Sequence, residues 1–278
     1  MTDSHAETAA RGIYLYCLAR RGCLPAVMGL PEQELRGVDE RYPVRAAEQA
    51  GVVAVIGDVD SAEFCDENLQ KLPWVASRAF RHEAVVERIM GASPVLPVKF
   101  GTIFRSADSL DSFLLRHRDC IVRALEELRG KAEWSVKGYV IEEEARRMVA
   151  ASDPAIQSRL NALSPTPGAR YLQQRQLDAA IDAALRLWVA GLTDELSASL
   201  VRYAMASTQL RCHASAVTGR AERMVFNRSF LVASAALAHF RAAFSDVQHA
   251  HQGTGLILEL RGPWPPYNFC PALSEDEP

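Results

Sequence analysis

The chain has 278 residues, 49% of them hydrophobic and 23% charged, with 31 basic against 34 acidic side chains and a net charge of −3. That length suggests two domains on a soft prior of roughly 150 residues each, and the composition suits a globular protein with a sizeable core. A slightly acidic chain argues against a nucleic-acid binder, which carries a basic stripe, and no apolar run is long enough to span a bilayer.

The first residues, "MTDSHAETAARG", are polar and lack the apolar core of a signal peptide. Residues 1–12 are therefore expected to be a disordered leader and the protein cytoplasmic. The six cysteines, Cys17, Cys23, Cys65, Cys120, Cys212 and Cys270, include no Cys-x-x-Cys pair and read as reduced thiols. "GIYLYCLA" is β-rich and apolar and predicts a first strand, and "GVVAVIGDV" predicts a buried one. "EFCDENLQKL" and "SRAFRHEAVVERIMG" predict helices, the second with Phe80, Ala84, Val85, Val86 and Ile89 on its apolar face and Gly91 as its stop. "SPVLPVKFGTIF" is extended, its prolines suiting a strand start or an edge.

The clearest helix follows. Ser106 caps it, Asp108 and Asp111 lie in its first turn, and Leu110, Phe113, Leu114, His117, Ile121, Ala124, Leu125 and Leu128 recur at helical spacing until Gly130. The domain boundary is expected there. Residues 13–131 make an N-terminal α+β domain, residues 132–270 a C-terminal one, and residues 271–278 an acidic tail. In the second domain "EWSVKGYVI" predicts a strand, "DPAIQSRLNAL" a short helix and 169–198 a long one carrying Leu177, Ile181, Leu185, Trp188 and Leu192 inward. "LVRYAMASTQLR" and "ERMVFNRSFLV" predict two strands, "ASAALAHFRAAFSDV" a helix and "TGLILEL" a last strand. The order is that of a ferredoxin-like β-α-β-β-α-β unit. The first half has a similar mix without a sequence repeat.

Catalytic signatures are absent. There is no phosphate loop, no Gly-x-Gly-x-x-Gly and no Gly-x-Ser-x-Gly elbow. "HEAVV" at 82–86 has Val where the zinc helix needs its second His, so His82 and Glu83 read as a solvated pair on a helix edge. "HAH" at 249–251 suits a helix C-terminus and "EEEARR" at 142–147 a helix start. No catalytic, cofactor-binding or metal-ligating residue is assigned. The feature left over is "GPWPPYNF" at 262–269, a donor-poor, stiff and aromatic end to an apolar run.

Several stretches together resemble the gas vesicle protein F/L family. They are "YLYCLA" at 14–19, "VLPVKFGTIF" at 95–104, "EWSVKGYV" at 133–140, "GARYLQQR" at 168–175, "NRSFLV" at 227–232 and "GTGLILELRGPWPPYNF" at 253–269, spanning nearly the whole chain. Lys99 stands where arginine is more usual and Asn268 where serine is, and the F and L branches are not separated by these residues. The resemblance implies a two-domain α+β protein, each domain a modified ferredoxin-like fold with an antiparallel sheet and helices on one face. It also implies a non-enzymatic accessory protein without cofactors, a partner of the hydrophobic major shell protein and of other accessory proteins, located in the cytoplasm or at the vesicle. Transient chaperone and retained shell component stay open, as do a small-molecule enzyme with an interdomain pocket and a purely structural scaffold.

The candidate interface or domain-closing residues are Lys99, Phe100, Gly101, Thr102, Pro263, Trp264, Pro265, Pro266, Tyr267 and Phe269. In one expectation Gly262 and Pro263 end strand pairing, and Trp264, Tyr267 and Phe269 fold back as a seal. In the other the same rigid segment is a docking surface whose aromatic anchors carry binding energy.

Overall fold

The computed structural model describes residues 11–28 and 36–273. The expected leader falls, up to residue 10, outside the described residues, as do residues 274–278 of the expected tail. The chain divides into two compact units: one runs to Ala132 and takes in the chain again from Trp264, and the other is Glu133–Pro263. The stretch from Trp264 to Cys270, expected in the second domain, thus belongs to the first unit.

The first unit contains β1 (Arg11–Ala19), α1 (Leu24–Met28), β2 (Val44–Gln49), β3 (Val52–Asp60), α2 (Asp66–Leu69), α3 (Leu72–Met90), β4 (Val95–Pro97), β5 (Ile103–Phe104) and α4 (Ala107–Glu127). Its sheet runs β2-β3-β1-β4, with β5 also paired to β1. β1 lies antiparallel to β3, from Arg11 opposite Asp60 to Ala19 opposite Val53, with a register shift between Leu15 and Cys17. A bulge adds one residue to one strand and resets the alternation of faces. Tyr14 before it, Tyr16 at it and Cys17 and Ala19 after it therefore reach one core, with Val53, Val55, Val85, Val86 and Ile89. Leu15, Leu18, Ala54 and Ile56 are buried too, and α4 packs against all five strands. Strands covered on both sides read as continuous apolar runs rather than alternating ones. α4 begins at a capping box in which Ser106 and Ser109 each accept from the other's backbone amide.

Local expectations are corrected in this unit. α3 buries His82, Val85, Val86 and Ile89, whereas Phe80 is 77% exposed and Ala84 is exposed as well. The spacing of 82, 85, 86 and 89 makes the tighter stripe, and Phe80 lies on the opposite side of the helix. The helix expected over 63–72 is broken, because Cys65 is extended between a 3-10 turn (Ser61–Phe64) and α2.

The remaining elements are β6 (Lys131–Val140), α5 (Glu142–Ser152), α6 (Pro154–Asn161), α7 (Pro167–Val201), β7 (Ala206–Gln209), α8 (Ser215–Thr218), β8 (Arg223–Ala233), α9 (Leu237–Ala250) and β9 (Leu256–Trp264). Their sheet runs β7-β8-β6-β9, consistent with the β-α-β-β-α-β order expected. α7 and α9 bring Leu192, Leu196, Leu200, Phe240 and Phe244 onto Trp134, Val136, Phe226 and Phe230. Farther along α7, Leu185 packs with α5, and Leu177 and Ile181 pack with Ile156 of α6. The strand expected over 200–211 is shorter than predicted, since Leu200 continues the buried face of α7 and β7 starts only at Ala206. β9 likewise runs on through Pro263 to Trp264 instead of stopping at Gly262. Gly262 has φ 143°, and a Cβ there would stand 2.8 Å from the Glu133 carbonyl oxygen and 3.0 Å from the Trp134 ring. Only glycine fits that close approach.

Candidate partner-binding site

Three pieces of the first unit converge: the 98–102 loop, the buried face of α3, and the chain after Trp264. The loop is tied to β1 by Val98 N–H donating to the Tyr16 carbonyl (3.2 Å) and Leu15 N–H donating to the Thr102 carbonyl (2.9 Å). The Thr102 hydroxyl donates to the Lys99 carbonyl at 2.8 Å. Gly101 has φ 87°, a left-handed conformation that costs other residues roughly 1–2 kcal/mol. That turn aims its amide at the Tyr14 hydroxyl, 3.0 Å away.

After Trp264 the chain makes a short 3-10 turn, Tyr267–Phe269. Tyr267 N–H donates to the Pro265 carbonyl at 2.8 Å and Phe269 N–H to the Pro266 carbonyl at 3.0 Å. Prolines suit these places, because each need only accept. Pro265 and Pro266 are buried, and Tyr267 and Phe269 are half-buried. Trp264 keeps 36% of its surface exposed, and Pro263 is exposed in β9.

The Tyr267 hydroxyl donates to Glu83 Oε2 at 2.8 Å and lies 3.1 Å from His82 Nε2. His82 Nδ1 lies 3.0 Å from the Tyr14 hydroxyl. With the tyrosine proton committed to the carboxylate, Nε2 carries the imidazole proton and donates to the Tyr267 oxygen. Nδ1 then accepts from Tyr14, which itself accepts from Gly101. Every proton in the chain from Gly101 through Tyr14, His82 and Tyr267 to Glu83 has one acceptor, the condition under which a buried polar network stabilises a fold. His82 is 2% exposed, which corrects the expected solvated His-Glu pair.

Burial pushes the His82 pKa down to about 4, with the nearby Val98 carbonyl opposing. Burial raises the Tyr14 and Tyr16 phenols. It raises Tyr267 too, reinforced by the charge of Glu83. A neutral histidine between phenols held above their ordinary range is a poor proton carrier near neutrality, where a general base needs a pKa close to the working pH. Around the imidazole, Tyr14, Tyr16 and Phe100 bring their ring centroids to 5.7, 5.7 and 6.1 Å, at the separations of favourable aromatic pairs.

Lys99, Thr102 and Tyr267 also line a cavity of about 500 Å³, with Leu15, Pro97 and Phe113 among its walls. The loop and the tail segment that the sequence singled out are therefore neighbours. Pro263, Trp264 and Phe269 do not line this cavity. Tyr14, His82 and Glu83 were not singled out as site residues. The available signal was the position of His82 on the 82, 85, 86, 89 stripe of α3. Elsewhere His249 bonds Ser245 of its own helix and His251 bonds Glu195, and the six cysteines form no disulfide.

The family model of gas vesicle synthesis protein GvpL/GvpF matches residues 12–271. Gas vesicle protein L of Streptomyces sp. (strain CB03234) is 29% identical over 238 residues, covering 84% of this chain and 85% of that protein. Gas vesicle protein L2 of Halobacterium salinarum is 26% identical over 288 residues, covering 100% of this chain and 99% of that protein. The crystal structure of GvpF from Anabaena sp. PCC7120 matches with a TM-score of 0.69 at 17% identity, covering 94% of this chain and 98% of that one. At that identity the likeness concerns the fold.

Proposed function

Because this chain belongs to the GvpL/GvpF family of gas vesicle synthesis proteins, we propose that it is a non-enzymatic accessory protein of gas vesicle assembly. It binds the hydrophobic major shell protein and other accessory proteins, in the cytoplasm or at the vesicle. A subunit apolar enough to line a gas space is an aggregation hazard before it assembles, and a partner with a stiff aromatic surface can cover it. The observation that carries this reading is the satisfied network that seats Tyr267 on α3 while Trp264 stays partly exposed beside it. One half of "GPWPPYNF" acts as an anchor and the other half is presented. Preorganisation of this kind lowers the ordering cost of binding. The unfavourable protonation behaviour of His82 and its tyrosines speaks for a structural network rather than an acid-base one.

The test is co-purification of the tagged chain with the major shell protein, wild type against Trp264→Ala. Binding should weaken by roughly 2 kcal/mol, the loss of one interface anchor. Failure of the wild-type chain to retain the shell protein or any other product of its vesicle gene cluster contradicts the reading. So does a reproducible turnover lost on one point substitution.

A further inference from the structure

Next to the cavity beside Tyr267 lies a second one of about 660 Å³, lined by Ile103, Phe104, Arg105, Ser109, Ser112, Phe113 and Arg116. The two share Phe104 and Phe113 as a common wall, so they adjoin in the first unit and together make a grooved surface. Lys99 stands on one side of that wall, and Arg105 and Arg116 on the other. Among the described residues no carboxylate side chain lines either cavity, although the whole chain carries a net charge of −3. Lys99 and Arg105 make no ion pair among the described residues. Two exposed cations without an ion pair among the described residues, Lys99 and Arg105, thus flank an aromatic wall in an acidic protein.

We infer that this groove binds an acidic, amphipathic peptide segment of a partner protein, its apolar side chains against the half-buried Phe113 and its carboxylates against Lys99 and Arg105. Charge complementarity selects the occupant. Guanidinium groups favour carboxylates through paired charge-assisted hydrogen bonds. The partly exposed apolar walls, Phe113, Pro271 and Leu273, give an aliphatic or aromatic anchor a place that a phosphate backbone would not use. The inference rests on the reading that this protein works by binding, and it adds the chemical class of segment that one surface takes.

The experiment uses the full chain and two fluorescein-labelled synthetic peptides in anisotropy titrations. One peptide alternates leucines with glutamates at helical spacing, and the other has lysine in place of every glutamate. The acidic peptide should bind and the basic one should not. Lys99→Glu and Arg105→Glu should each weaken binding by about tenfold, equivalent to ~1.4 kcal/mol, with more salt weakening it further. Both side chains are exposed, so melting should be unchanged in both variants.

Equal binding of the two peptides, or an acidic-peptide affinity indifferent to Lys99→Glu and Arg105→Glu, overturns the inference. So does an equally charged single-stranded oligonucleotide that binds through the same two cations. A chain ending at Leu273 that binds the acidic peptide far more tightly also overturns it, by making the chain's own Glu275, Asp276 and Glu277 the occupant. Shell-protein capture on the same variants separates the two proposals. Peptide binding without shell-protein capture removes only the partner named above. Capture with no acidic-peptide binding removes only the groove assignment.

Discussion

Both sheets place their strands in the order second, third, first, fourth, as β2-β3-β1-β4 and as β7-β8-β6-β9, yet the two units bury different chemistry. The second unit packs large apolar rings against aliphatic helices: Phe230 and Phe240 meet at 5.3 Å between centroids, beside Trp134, Phe226 and Phe244. Its buried Asn227 donates to the Arg211 carbonyl at 2.8 Å and leaves Oδ1 without a partner among the described residues. The first unit instead threads a hydrogen-bonded line through its core, from Gly101 to Glu83, and uses it to hold a segment that arrives from the far end of the chain. Shared topology therefore leaves open what a core is for. One of these cores closes a sheet, and the other both closes a sheet and fixes a surface feature. The bulge in β1 contributes to this, since it puts Tyr14 and Tyr16 on the same face as the residues beyond.

Breaking the apolar core should give the largest effect. Phe230→Ala, at a fully buried position, is expected to cost about 3–5 kcal/mol. Hydrogen exchange should report the loss in β6, β8 and α9 while β1 and β3 keep their protection. Equal loss in both units would show that they unfold as one and that the division of labour is not energetic.

Acid should act on the first unit. The folded-state pKa of His82, about 4, lies below the 6.5 of an unperturbed histidine. The unfolded chain therefore binds the proton first, and this contribution is complete above pH 6.5 and lost as pH falls toward 4. The stability at stake is on the order of 3 kcal/mol, with about 2 kcal/mol gone by pH 5. Exchange protection of α3 and β1, compared at pH 7 and pH 5 in the wild type and in His82→Asn, measures it. The variant should show a smaller fall, and an identical fall in the two proteins would remove His82 as the cause.

Tyr267→Phe deletes a single hydroxyl. It takes from His82 Nε2–H the Tyr267 oxygen and from Glu83 one donor, which should cost about 1–3 kcal/mol. The loss should show as faster exchange in α3 and the 98–102 loop, and unchanged protection there would mean that the hydroxyl seats nothing. Trp264→Ala should be the mildest for stability, within about 0.5–1 kcal/mol as for other partly exposed positions, while weakening partner capture. A large drop in melting would make Trp264 a sealing residue and leave the presented half of the segment without its anchor.

Much of the second unit was legible because its elements are long and cleanly periodic. The strand, long helix, strand, strand, helix, strand order could be read from apolar spacing alone. The first unit resisted at particular places. β2, "VRAAEQ", is a half-exposed strand with weak β-formers, so neither alternation nor propensity marks it. Phe80 drew the apolar face of α3 to the wrong side, because a single large ring outweighed the tighter stripe through His82. For the candidate site, composition singled out "GPWPPYNF", and "KFGT" came from the resemblance to the gas vesicle F/L family. What joined them was invisible, since Tyr14, His82 and Tyr267 lie 68 and 185 residues apart along the chain. A pairing of that range leaves no local trace.

The most direct test of the central claim, that Tyr267 is seated through His82, is a ¹⁵N NMR titration of the His82 imidazole in the wild type and in Tyr267→Phe. The account predicts a neutral ring protonated on Nε2 from pH 8 down to about pH 4, with the Nε2 signal displaced in the variant. An imidazole that titrates near 6.5, with the same spectrum in both proteins, would contradict it.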